Sequence, residues 1–263
     1  MSKNKVIFTQ LLVCDADHLL LPPNAHDALS DPERLRLAQI ANPAQAKLFL
    51  LGRYLVRQLL APHLQLLPHL IPIGINHKGK PSLLLPNSLE TDWHFNISHT
   101  GNLLALAIGN QAPLGVDLES RQLSVAQIQR LAKRYFNAQE QAWLATHSQP
   151  AHFLRLWTIK EAVLKAHGAG IANHLSAVHW LPYQDHALLG EQRYQLTHFQ
   201  LTPFALTDSR PLAAAPPLHQ ACRLTLAMQS PSSAPLTLLS LADLALALEI
   251  SGPQPNLYKG AST

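Results

Sequence analysis

Apolar positions recur along this chain at two periods, and the switch between them predicts its elements. From about Ala44 to Leu60, Leu48, Leu51, Leu55 and Leu59 return every three or four residues, the spacing of a helix with one buried stripe. A second such stripe runs from about Ala151 to Ala166: Phe153, Trp157 and Leu164 share a face, with Leu156 and Val163 beside them. Shorter helices are predicted over 124–135, with Ser124 as N-cap, and over 138–146. Asp31-Pro32-Glu33 reads as a helix start with Asp31 as N-cap, and Asn42-Pro43 interrupts that helix. Short apolar runs predict strands over 6–13, 73–76, 93–97, 103–108, 114–118, 177–181, 194–201 and 222–228. Turns are predicted at Lys78-Gly-Lys-Pro81 and Ser98-His-Thr-Gly-Asn102, and Gly168-Ala-Gly170 caps the long helix at its end.

Gln111-Ala-Pro113 separates two halves, so a boundary is expected near residue 112: an N-terminal unit 1–112 and a C-terminal unit 113–250. The Pro/Ala-rich stretch 207–220 reads as a surface loop, and 251–263 as a disordered tail.

Composition narrows the function classes. A charge of +4 spread without a Lys/Arg run suits an anionic ligand or an acidic partner and argues against nucleic acid. No apolar run approaches the roughly 20 residues that span a bilayer, and no signal peptide is visible, so a cytoplasmic protein is expected. Cys14 and Cys222 stand far apart, outside any zinc or redox spacing, and read as free thiols.

The candidate chemistry lies where polar residues break the apolar pattern. Asp117 and Glu119, two apart on a predicted strand, point to one face. Such a pair either faces water or holds a hard cation such as magnesium. In the 151–166 helix, Lys160 falls inside the apolar arc, Glu161 beside Trp157, and Lys165 next to Glu161, while Arg155 lies on the solvated side. A Glu161–Lys165 i,i+4 pair would stabilise the helix by ~0.2–0.5 kcal/mol, but it leaves Lys160 unexplained. Lys78 and Lys80 flank a glycine, and Asn96, Ser98 and His99 crowd one turn; all could meet phosphate oxygens. Ser98-His99 lacks the G-x-S-x-G elbow of a hydrolase nucleophile.

In this order and spacing, Lys78-Gly-Lys-Pro81, Phe95-Asn-Ile-Ser-His99, Gly115-Val-Asp-Leu-Glu119, Tyr135-Phe-Asn-Ala-Gln-Glu140 and Trp157-Thr-Ile-Lys-Glu-Ala-Val-Leu-Lys165 resemble the surfactin-synthetase-activating type of 4′-phosphopantetheinyl transferase. The resemblance covers roughly residues 30–180. It implies an α+β fold of two pseudo-symmetric subdomains, each a small mainly antiparallel sheet packed on helices, with the active site in the cleft between them. It implies transfer of the 4′-phosphopantetheine arm of coenzyme A to a serine of an apo acyl or peptidyl carrier protein, releasing adenosine 3′,5′-bisphosphate. Carried over motif by motif, Asp117, Glu119 and Glu161 would hold Mg2+, and Lys165 would contact the phosphate under attack, with Lys160 close by. Asn96, Ser98 and His99 would line the coenzyme, and Lys78, Lys80 and, by a looser match, Arg36 would hold its phosphates. Glu161, Glu140 or a metal-bound water would be the base. A monomer can build the whole site, and a catalytically silent coenzyme A-binding protein is the alternative. Thr100 replaces the serine common in the family, and the region beyond 182 does not match clearly.

Overall fold

Ser30, not Asp31, caps the first helix: three residues on, Glu33 accepts from both the Ser30 amide and its hydroxyl. The computed structural model describes residues 7–17, 19–76, 79–84, 92–168, 170, 174–201, 222–229 and 235–239. Lys78, the 207–220 stretch and the 251–263 tail lie outside the described residues. The elements are β1 (Thr9–Asp15), α1 (Asp31–Ala38), α2 (Pro43–Leu64), β2 (Ile73–Ile75), β3 (Pro81–Leu83), β4 (His94–Thr100), β5 (Leu103–Gly109) and β6 (Leu114–Glu119). They continue as α3 (Val125–Tyr135), α4 (Ala138–Thr146), α5 (Pro150–His167), β7 (Val178–Trp180), β8 (His186–Leu189), β9 (Gln192–Leu201), β10 (Cys222–Gln229) and β11 (Leu236–Leu239). The fold is α+β.

Two sheets carry the molecule. The first has the order β11-β1-β5-β4, the second β6-β10-β9-β8-β7, and a small ribbon pairs β2 with β3. The second is antiparallel throughout, with Asp117 opposite Thr225 and Thr225 opposite His198. Alternation along the strands decides how the sheets pack. Leu104, Leu106 and Ile108 of β5 join Leu51, Leu55 and Val56 of α2 in one core. Leu103, Ala105 and Ala107 of the same strand face Val116, Leu118, Leu224 and Leu226 of the second sheet in another. The opposite face of the second sheet packs on α5, around Phe153, Trp157 and Val163. The order of layers is therefore α2, first sheet, second sheet, α5.

One strand departs from the expected division. β11 follows β10 in the chain but pairs in parallel with β1, so the last described strand, expected in the 113–250 unit, joins the other half's sheet. Its four residues (Leu-Thr-Leu-Leu) signal no choice of sheet. The 44–60 helix runs longer than its stripe predicts: Pro62 lies inside its last turn, and it continues to Leu64, where Gln65 adopts a left-handed conformation.

Candidate active site

The site is built where two sheet edges meet. β4 and β6 are the edge strands of the two sheets, and side chains join them where no backbone ladder does. Asn96 Oδ1 accepts from Val116 N–H (2.8 Å), and Ser98 Oγ accepts from Leu118 N–H (3.2 Å). Two residues apart on β4, they meet amides two residues apart on β6. Both side chains are buried, and without them two buried N–H groups would be orphaned. Thr100 and Ser120 continue the seam with a hydroxyl pair at 3.0 Å.

α5 then crosses the face of β6. Gly115 is required there, because a Cβ would collide with the Ala162 carbonyl and the Ala166 amide. The close approach brings Glu161 and Lys165 of α5 over Asp117 and Glu119. One oxygen from each of Asp117, Glu119 and Glu161 lies within 4.8 Å of the others. The two oxygens of Asp117 divide their partners. Oδ1 accepts from Lys165 Nζ (2.6 Å) and Ser98 Oγ (3.1 Å), whereas Oδ2 is buried with no hydrogen-bond partner among the described residues. Lys165 also donates to Ser98 Oγ (3.0 Å) and the Val116 carbonyl (3.2 Å).

Burial, then the Asp117 and Glu119 charges, push the Glu161 carboxyl up to about 7. Trp157 Nε1–H holds its Oε1 at 2.7 Å. Burial and Asp117 likewise raise the Glu119 pKa, opposed by Arg121, which grips both oxygens (2.8 and 2.7 Å) and stacks on Trp157. Three hard oxygen donors, one orphaned and two crowded enough to resist ionisation, fit a divalent cation.

Two family models match the chain in sequence. One, the 4′-phosphopantetheinyl transferase superfamily, matches residues 113–215, and the other, 4′-phosphopantetheinyl transferase, N-terminal, matches residues 23–111. A putative 4′-phosphopantetheinyl transferase of Synechocystis is 34% identical over 172 residues, 64% of this chain and 68% of the relative. The chain belongs to the 4′-phosphopantetheinyl transferase superfamily. The transferase Sfp of Bacillus subtilis is 31% identical over 162 residues, covering 60% of this chain and 68% of its own. HetI of Nostoc is 33% identical over 147 residues, 55% and 61%. The matched segments thus span 61 to 68% of these three superfamily members.

Several residues expected at the phosphopantetheinyl transferase site stand elsewhere. Lys160 is fully buried and pairs with Glu140 at 2.9 Å, donating also to the Leu175 and Val178 carbonyls. Glu140 is equally buried; it caps α4 through Asn137 N–H (2.9 Å) and accepts from Trp180 N–H (2.9 Å). The two residues solve each other's burial. Neither is free to meet a coenzyme, and Glu140 is withdrawn as a base. Arg155 is half-buried over the Trp180 ring, not solvated, because β9 and β10 flank its side of α5. Arg36 is exposed on α1, while Arg53 and Arg57 of α2 are buried against Glu33 (3.0 and 2.7 Å).

Others do converge. Lys80 reaches from the first half to donate to the Lys165 carbonyl at the end of α5, and burial lowers its pKa to about 8. His99 is exposed on the other face of β4 from Ser98; local desolvation and the Lys165 charge lower its pKa. Ser98 has committed its proton and both lone pairs, so a coenzyme oxygen would have to displace one of its partners. The sequence reading missed Arg121 and Trp157 as supports of Glu119 and Glu161. Arg121 carried the signal of lying two residues past Glu119, and Trp157 that of lying four before Glu161.

Proposed function

We propose that this chain transfers the 4′-phosphopantetheine arm of coenzyme A to a serine of an apo acyl or peptidyl carrier protein, releasing adenosine 3′,5′-bisphosphate. The convergence of Asp117, Glu119 and Glu161 around the partnerless Asp117 Oδ2 carries this reading, together with membership of the superfamily. These three residues hold Mg2+. When bound, the cation supplies Lewis-acid neutralisation of phosphate oxygens.

The chain's own residues do the rest. Lys165 sits against Asp117 with its ammonium at the site, where it can offer a proton donor to a phosphate oxygen. Lys80 adds a second cation beside it and gives coenzyme phosphates a charge-assisted partner. His99 offers the coenzyme a hydrogen-bonding ring nitrogen. Glu161, whose carboxylate turns toward the trio, is assigned to take the proton of the carrier serine, directly or through a water. Arg121 and Trp157 hold Glu119 and Glu161 in place.

All of these groups come from one chain, which suits a monomer whose two subdomains meet near residue 112. Both cysteines are free and buried, which suits a reducing cytoplasm. No helix among the described residues is long and apolar enough to cross a membrane.

The test is mass spectrometry of apo-carrier proteins incubated with coenzyme A and Mg2+. Addition of one phosphopantetheine arm is expected. Glu161→Gln should lower kcat by about a hundredfold or more, the scale of one lost transition-state contact, with the circular dichroism spectrum unchanged. Full turnover in that variant would remove Glu161 from the mechanism.

A further inference from the structure

The N-terminal half of α5 borders a cavity that the transfer reaction does not use. Its volume is about 310 Å3, and its walls include Arg155 and His152 of α5, Arg223 of β10 and His198 of β9. No Asp or Glu is among the described residues that line it. Arg155 Nε, His152 Nδ1 and His198 Nε2 are buried without hydrogen-bond partners among the described residues. The polar floor is already ordered: Thr225 Oγ1 lies 2.8 Å from Thr158 Oγ1 and 3.1 Å from His198 Nδ1. That bond fixes the His198 ring and leaves Nε2 as its open position. Arg223 Nε has only a long contact, 3.5 Å, to the Ala151 carbonyl.

Electrostatics points the same way. Burial lowers the pKa of all four basic groups, that of His198 to about 4, and the neighbouring arginine charges add to the effect at Arg155, His152 and His198. Two half-buried guanidinium groups with no acid among the described residues around them would be favoured by an anion sitting between them. The cavity is separate from the carboxylate trio. Arg155 precedes Glu161 by about 9 Å of helix rise, and His198 lies two strands from Asp117, about 10 Å at ordinary strand spacing.

We propose that this cavity binds a small tetrahedral oxyanion of the phosphate type, free or carried as a monoester, held by the guanidinium groups of Arg155 and Arg223. Guanidinium forks match such oxygens in two-pronged geometry. The volume is at the small end of the range for ligand pockets, roughly 300–1,000 Å3, room for a phosphoryl group with a short tail but not for a dinucleotide. The site does not depend on the transfer reaction.

The experiment is thermal unfolding of the full chain at constant ionic strength in chloride, titrated with inorganic phosphate and separately with glycerol 3-phosphate. The midpoint should rise with phosphate in the wild type and equally in Lys165→Ala, which removes the ammonium at the carboxylate site. Arg155→Gln and Arg223→Gln, made singly so that a folding failure in one leaves the other, should weaken apparent affinity about tenfold or more, as loss of a charge-assisted bond does. A response to phosphate alone identifies a free-ion site, and a stronger one to glycerol 3-phosphate identifies a monoester site. The proposal is overturned if neither anion shifts the midpoint, if the shift survives both arginine substitutions, or if it vanishes in Lys165→Ala.

Discussion

Glu161 shares a small volume with two other carboxylates, and its ionisation is what a bound cation would relieve. Its pKa of about 7 in the folded chain stands above the ordinary 4.5. Between those values the folded protein keeps a proton that the unfolded chain has lost. In chelator, the contribution of this group is thus fully present below about pH 4.5 and is lost as pH rises through about 7. Mg2+ binding to the ionised trio should remove that penalty. The thermal midpoint gain on adding Mg2+ should therefore be larger at about pH 8 than at about pH 5.5. Differential scanning calorimetry on the same protein at both pH values checks this, and an equal gain at the two would detach Glu161 from the metal. Asp117 shows the same economy differently: one oxygen serves Lys165 and Ser98, and the other is kept for a ligand.

At the scale of elements, α5 does two jobs with opposite requirements. Its apolar residues anchor the second core, while Glu161 and Lys165 must reach across β6. Gly115 reconciles them by letting the helix backbone lie against the strand. Gly115→Ala should therefore destabilise the protein by ~1–3 kcal/mol, the cost of overpacking, read as a lower denaturant midpoint. Coenzyme turnover should fall beyond what unfolding explains, since any shift of α5 moves Glu161 off Asp117. An unchanged midpoint would mean the helix has room to move. The Lys160–Glu140 pair is the structural counterpart, tying α5 to α4 and to the start of β7.

For the whole molecule, the joint between the sheets is the decisive feature. An apolar layer between them provides the adhesion. Asn96 and Ser98 provide the register by pairing edge amides of β6. Asn96→Ala should leave Val116 N–H buried and unpaired, costing ~1–3 kcal/mol in urea unfolding. An unchanged urea midpoint in Asn96→Ala would remove Asn96 from the joint. β11 adds a covalent reason for the halves to move together, because the chain returns from the second sheet to complete the first.

The sequence by itself determined the periodic elements, from the leucine stripe of α2 to α3 with its Ser124 cap, α4, and α5 with its glycine end, because hydrophobic spacing and cap chemistry are local. It also placed Asp117 and Glu119 on one face and Glu161 and Lys165 on one helix stripe, since strand and helix periods fix such neighbours. Tertiary structure alone decided which buried charges meet at the carboxylate trio and which pair within the core. Lys160 and Glu161 are adjacent in sequence, but α5 turns the first toward α4 and the second toward β6. Only the packing of α5 against both could tell a satisfied core lysine from a site residue. The same holds for Arg155, for Asn96 and for the side taken by β11: each answer depends on which distant strand lies alongside, and the range of a local period ends well short of that distance.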